Sequence, residues 1–398
     1  MNDMTINKTE LLNTLTEKLS RAVDFWMKNS RDTEYGGIAH CLDREGNHFG
    51  TDKGVWMQGR AGWAFSYLYN HVKKDPEFLD FAKSCIRFAS EKCTDKNGRM
   101  YNVVTRDGLP VEKTGEFFSE AFFVMANAEH YIATGEPEYL ETARRYYDLI
   151  TEIHRNPSAD PNRFTDNQAP AARNLRHFNR PMILLNLTAL MAEADGERLS
   201  LYNENSLSLY NEIAEFYRPE YNATLEAIGV DGMPELASPN TRVTTPGHDM
   251  ECAWFLLEEG IRLGNGDMTA LARRMFDDAY RIGLDTEYGG FVYQRDILGG
   301  PIENYENETK VWWVHNEAVI AALALYLHTR EPEYAEKFAY AIDYSLSHFV
   351  DDDGEWYYAL HRDGTPISSR MKGFIYKGPF HTIRMYVKCI EMLKKIPD

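Results

Sequence analysis

The hexapeptide Asp-Thr-Glu-Tyr-Gly-Gly occurs twice, at Asp32 to Gly37 and at Asp285 to Gly290. Each copy follows an amphipathic helical stretch and precedes a short β-like run, Ile38-Ala39-His40-Cys41 in one and Phe291-Val292-Tyr293-Gln294 in the other. Six identical residues in register with helices on both sides mean that the chain repeats a helix, turn, hairpin and helix unit. Two weaker echoes agree. Asn97-Gly98-Arg99-Met100-Tyr101 leads to Arg106-Asp107-Gly108, and Asp353-Gly354-Glu355-Trp356-Tyr357 leads to Arg362-Asp363-Gly364. Asn-Gly and Asp-Gly beside aromatic and β-branched runs are hairpin signals.

Between these turns, apolar residues recur at i, i+3 and i+4 in twelve segments. They run near 8–29, 55–73, 76–93, 116–134, 137–155, 178–194, 199–217, 246–264, 267–283, 309–328, 331–348 and 379–395. Connections after even-numbered helices are short, such as Lys74-Asp75-Pro76-Glu77 and Gly135-Glu136-Pro137-Glu138. Proline at the first helical position loses no hydrogen bond, and the acid suits the helix dipole. Connections after odd-numbered helices are long and carry the hairpins. The alternation predicts an all-α fold, an (α/α)6 toroid or barrel of twelve helices with short β-hairpins in the long loops. The even-numbered helices lie inside. The site then belongs in the funnel on the long-loop side, at the N-terminal turns of the inner helices.

No Pro/Gly/Ser-rich linker divides the 398 residues, so they read as one domain over 1–398. The net charge of −18 argues against nucleic acid and an anionic membrane surface. The start Met-Asn-Asp-Met-Thr shows no leader, and no window of ~18 apolar residues marks a membrane span. Five cysteines without a CxxC pair fit reduced, mostly buried thiols and a cytoplasmic location.

Two inner-helix starts match: Thr245-Pro246-Gly247-His248 and Gly378-Pro379-Phe380-His381. The positive end of a helix dipole disfavours imidazolium, and neutral imidazole is a competent general base. His248 and His381 approach the funnel from different helices, which suits proton removal from one face of a carbon and return to the other. Glu251, one turn after His248, either fixes an imidazole tautomer or binds a sugar hydroxyl. Trp313 and Glu317 share a helix face and offer a stacking platform beside a carboxylate. Arg60, amid Trp56, Trp63 and Phe65, is either a fixed cation for an oxyanion or half of a structural ion pair. The His-x-x-Glu spacing lacks further metal ligands, so no metal is expected. Asp351-Asp352-Asp353 reads as a solvated loop, and no phosphate-binding glycine loop is present.

At these residues the chain resembles the N-acylglucosamine 2-epimerase family, whose mammalian member is also known as renin-binding protein. The resemblance runs nearly end to end. Its most specific pieces are Val55 to Arg60, Pro246-Gly247-His248 with Glu251 and Trp254 to Leu257, Lys310 to Ala318, and Lys377 to His381. It implies reversible C2 epimerisation of N-acetyl-D-glucosamine and N-acetyl-D-mannosamine through an enediolate of the open-chain sugar. His248 and His381 match the acid/base pair and Arg60 the cation near the substrate oxygen. Glu251, Trp313, Glu317 and, less closely, Asn179 match sugar-contacting positions. The resemblance also implies a homodimer, no cofactor required for the chemistry, and ATP as an allosteric activator. The alternatives are a 2-epimerase or aldose-ketose isomerase acting on mannose, glucose or cellobiose, an (α/α)6 glycoside hydrolase using Glu251 and Glu317, and a non-catalytic protein-binding partner.

Overall fold

The computed structural model describes residues 7–162, 175–304, 306–367 and 371–397; Met1 to Thr5, on which the absence of a leader was read, lie outside them. Twelve α-helices occur among the described residues: α1 (Lys8–Asn29), α2 (Val55–His71), α3 (Pro76–Lys92), α4 (Phe118–Thr134), α5 (Pro137–Arg155), α6 (Asn179–Ala194), α7 (Leu199–Phe216), α8 (Pro246–Leu263), α9 (Gly266–Gly283), α10 (Trp312–Thr329), α11 (Pro332–His348) and α12 (Phe380–Lys394).

The even-numbered helices form a closed inner ring, each touching the next and α12 returning to α2. Burial separates the two layers as physics requires. Inner α10 buries Trp312 and every residue from Val314 to Tyr326, whereas outer α5 buries only Tyr139, Ala143, Tyr146, Tyr147, Ile150 and Ile153. A helix apolar all round belongs in a core, and a single stripe at three-to-four spacing belongs on its surface. Helices joined by short turns pack as pairs, α2 with α3 through α10 with α11. The sixth pair is α12 with α1, which joins the two ends of the chain, and Lys8 Nζ donates to the Ile396 carbonyl at 2.9 Å. These contacts make the all-α (α/α)6 barrel.

Helix ends match expectation within two residues except at α10, expected from 309 but beginning at Trp312. Lys310–Val311 is instead strand β10, paired antiparallel with β11 (Ala359–Leu360). Two other inner helices are entered in the same way. β1 (Lys53–Gly54) precedes α2 and pairs with β2 (Val103–Val104), which continues to β3 (Pro110–Glu112). β8 (Val243–Thr244) precedes α8 and pairs with β9 (Arg295–Asp296). The remaining strand pairs are β4 (Leu175–His177) with β7 (Ala227–Gly229), and the hairpin β5 (Tyr217–Arg218) with β6 (Ala223–Thr224). Neighbouring long connections are thus stitched together over one end of the ring.

The repeated hexapeptide is the clamp of this stitching. Asp32 accepts from the backbone N–H of Glu34 and Tyr35, and its carboxylate takes Lys53 Nζ at 2.9 Å and Arg106 Nε at 2.9 Å. Asp285 does the same with Glu287, Tyr288, Lys310 at 2.7 Å and Arg362 at 2.9 Å. Each aspartate therefore ties the strand before an inner helix to the hairpin echo that follows. Burial raises both carboxyls, but these partners hold them well below the usual carboxylate range. The paired glycines take positive φ, 83° and 74° in the first copy and 74° and 68° in the second, where a side chain would be strained. The next backbone N–H is caught by the inner helix, Ile38 on Gln58 Oε1 at 2.9 Å and Phe291 on His315 Nε2 at 3.0 Å.

The aspartate run is less solvated than expected: Asp351 lies 2.8 Å from buried Lys372, and Asp353 pairs with Arg44. All five cysteines are buried free thiols. Among the described residues no helix is long and apolar enough to cross a membrane.

Candidate active site

The N-terminal turns of all six inner helices meet around one cavity of about 590 Å³. α2 contributes Trp56 and Arg60, α4 Phe118 and Phe122, α6 Asn179 and Met182, α8 His248 and Glu251, α10 Trp312 and Trp313, and α12 Phe380 and His381. The connections add Tyr293, Glu306, Tyr358 and Tyr376, with the Tyr358 hydroxyl donating to Glu306 at 2.7 Å. Of the seven expected site residues, His248, His381, Arg60, Glu251, Trp313 and Asn179 line this space and Glu317 does not.

Both histidines are held by Nδ1. His248 Nδ1 lies 2.9 Å from Glu226 Oε1, and His381 Nδ1 lies 2.8 Å from Glu317 Oε1. A carboxylate accepts, so each Nδ1 carries the proton and Nε2 keeps its lone pair in the neutral ring. Neither Nε2 has a protein partner among the described residues. The Trp313 ring packs against both imidazoles, at centroid distances of 5.0 Å to His248 and 5.9 Å to His381. Gly247 makes room for it, since a Cβ there would lie 2.6 Å from the indole.

Glu317, expected at the sugar, instead sits behind His381. It is fully buried on the inner face of α10 and accepts from Trp254 Nε1 at 2.8 Å and Arg384 Nη2 at 2.8 Å as well as from His381. Three buried donors leave it no surface on the cavity. Arg384 also pairs with Glu251, so its guanidinium joins both carboxylates into a floor beneath the cavity. Glu251, Glu317 and His381 are close enough to hold a metal ion. Arg384 already supplies the cation that those carboxylates face.

The two imidazoles differ in charge preference. Burial lowers His381, the cations Arg60 and Arg384 lower it further, and its pKa falls well below the ordinary histidine value. The helix start thus holds a neutral ring, as expected. His248 departs from that expectation. Burial lowers it too, but the hydrogen bond and charge of Glu226, with the charges of Glu251 and Asp249, together raise its pKa above the ordinary value.

Arg60 makes no ion pair among the described residues, which removes the structural-pair reading. Its guanidinium lies over the rings of Phe122 at 4.2 Å and Phe380 at 5.0 Å, and its buried Nε has no hydrogen-bond partner. Asn179 likewise presents a buried, unpartnered Oδ1 at the cavity. Sequence reasoning missed Glu226 and Arg384. Glu226 lies in a connection without helical periodicity. Arg384 falls three residues after His381 on α12, a spacing that places it on the same face.

Residues 36–377 match the family model described as N-acylglucosamine 2-epimerase (GlcNAc 2-epimerase). The chain is 34% identical to the N-acylglucosamine 2-epimerase of Bos taurus over 390 residues, covering 96% of this chain and 91% of that protein. It is also 34% identical to the Homo sapiens N-acylglucosamine 2-epimerase over 385 residues, covering 95% and 88%. Among solved structures, cellobiose 2-epimerase from Bacillus thermoamylovorans superposes with a TM-score of 0.83 at 22% identity, covering 96% of this chain and 99% of that one. At that identity the likeness is one of fold.

Proposed function

Because the chain belongs to the N-acylglucosamine 2-epimerase family of isomerases, we propose that it interconverts N-acetyl-D-glucosamine and N-acetyl-D-mannosamine by a two-histidine proton transfer at C2. The observation that carries this reading is the pair of imidazoles, each with Nδ1 on a carboxylate, each with Nε2 unpartnered, and both against Trp313.

The chemistry follows from acidity. The ring form of the sugar has no carbonyl to stabilise a C2 carbanion, so the substrate reacts as its open-chain aldehyde. The Nε2 lone pair of His381 takes the C2 proton. The C–H electron pair becomes the C1–C2 double bond, and the aldehyde oxygen takes the negative charge. For a 2-acetamido sugar this intermediate is an enolate; an enediolate requires a hydroxyl at C2. The unpaired Arg60 guanidinium is the cation for that oxygen, and a preorganised charge needs no reorganisation as the oxyanion forms. His248 Nε2–H then delivers a proton to the opposite face of C2. The sequence conserves charge and needs no redox partner. Asn179 Oδ1 and the Trp313 face are the polar and stacking contacts for the sugar.

The hydrolase reading needs two carboxyls flanking a glycosidic oxygen. Glu317 is sealed behind His381, and Glu251 is bound to Arg384, so that pair is not offered to a substrate. The test is incubation in D₂O with N-acetylglucosamine, mannose, cellobiose and an aryl glycoside, followed by NMR. Deuterium at C2 with appearance of N-acetylmannosamine is the expected result. Exchange confined to mannose or cellobiose would assign the site to a neutral sugar, and release of the aryl group would assign it to hydrolysis.

A further inference from the structure

Glu226 enters the site from the turn between β6 and β7 rather than from an inner helix, yet its backbone is fixed on both sides. Its carbonyl accepts from the Phe178 N–H at 3.0 Å, at the start of α6. Its own N–H donates to the Val243 carbonyl at 3.0 Å, in the strand that leads into α8. Its carboxylate contacts His248 Nδ1 at 2.9 Å and, among the described residues, no cation. The carboxylate behind the other histidine is in the opposite situation. Glu317 shares its charge with Arg384 at 2.8 Å and takes a further hydrogen bond from Trp254. A carboxylate already balanced by a guanidinium has less to offer an imidazolium than one without a counterion.

We infer that Glu226 is the positioning residue of His248 and makes it the resting proton donor of the pair, with His381 the resting acceptor; this rests on the two-histidine reading above. The ionisable groups that bear on His248 are Glu226 from its turn, Glu251 and Asp249 from α8, and His381 from α12. Glu251 is paired with Arg384. Asp249 is buried, burial pushes its carboxyl well above the usual range, and the Thr244 hydroxyl donates to it at 3.2 Å. His381 is the neutral ring described above. Glu226 is the carboxylate in direct contact with the His248 ring, and no cation pairs with it among the described residues. The poise has a mechanistic consequence. One turnover moves a proton from C2 to His381 and another from His248 to C2, so both rings end in the opposite state. Proton exchange with water must restore them before the next turnover in the same direction.

The test uses Glu226→Gln and Glu226→Asp in the full chain. Two readouts are followed: the NMR titration of the His248 ring, assigned from a His248→Asn spectrum, and the pH profile of kcat from N-acetylglucosamine. A donor is lost as pH rises through its pKa. Glu226→Gln is therefore expected to lower the His248 pKa by about one unit or more. It should move the alkaline limb of kcat down by the same amount, and Glu226→Asp should restore most of both. An unchanged His248 titration in Glu226→Gln overturns the inference. So does a kcat lowered by one factor at every pH, which is the mark of a merely structural role. If the unaltered enzyme leaves C2 of N-acetylglucosamine unexchanged, the two-histidine reading fails instead, and the His248 titration still decides whether Glu226 sets its charge.

Discussion

The Arg60 guanidinium is pushed down to about 9 by burial, which still leaves it charged at neutral pH. A charged guanidinium between two phenylalanine rings with no counterion among the described residues is costly. Its place at the cavity, beside the two histidines, is where an oxyanion would repay that cost. Arg60→Met keeps the stem that packs on Phe122 and removes the charge. The expected result is a fall in kcat of ~10²–10³-fold with little change in KM, because the interaction is made in the transition state and not with the neutral sugar. Steady-state kinetics decide it, and an equal rise in KM at constant kcat would make Arg60 a ground-state contact. The same scale shows why Glu317 lies off the cavity that Trp313 lines. The i, i+4 spacing correctly put it on the face of Trp313, but spacing along one helix says nothing about depth. Trp254, Arg384 and His381 close over it from two neighbouring helices.

At the scale of elements, the twelve helices and their inner and outer layers were legible because the relevant physics is local. Outer helices carry a stripe, inner helices are apolar all round, and the Pro-Glu starts mark the tight turns. The helix-start histidines were legible for the same reason. What could not be read is what depends on pairing between distant segments: the β10 start before α10, the α1–α12 closure, and Glu226 beneath His248. The hexapeptide sits between these cases, since its repetition was plain and its task was not. Its aspartates compensate Lys53 and Lys310, both fully buried ammonium groups. Asp285→Ala should strand the Lys310 charge and lower stability by about 3–5 kcal/mol in chemical denaturation. Arg362→Ala, which removes the partly exposed partner of the same carboxylate, should cost far less. Because the Asp285 pKa is lowered on folding, this contribution is present above the unfolded-state value of about 4 and is lost as pH falls through the folded one. Equal losses in the two variants would show that the clamp works through its arginine.

At the scale of the whole molecule, the ring is what brings two imidazoles from different helices to one cavity. No single helix could present two imidazoles to opposite faces of a sugar. Helices α8 and α12, two places apart in a closed ring of six, present theirs across a shared tryptophan. Beneath them Arg384 ties α12 to α8 and α10 through Glu251 and Glu317, so the relative placement of the two imidazoles is a property of the closed barrel. The most direct test of this arrangement removes one base at a time and asks which sugar still exchanges. In D₂O, His248→Asn should still exchange the C2 proton of N-acetylglucosamine through His381 while producing no epimer. His381→Asn should leave that proton untouched and exchange the C2 proton of N-acetylmannosamine alone. Each variant should epimerise at least ~10²-fold more slowly than the unaltered enzyme. Near-native epimerisation by either variant, or exchange of both sugars by one of them, would contradict a division of the two faces of C2 between His248 and His381.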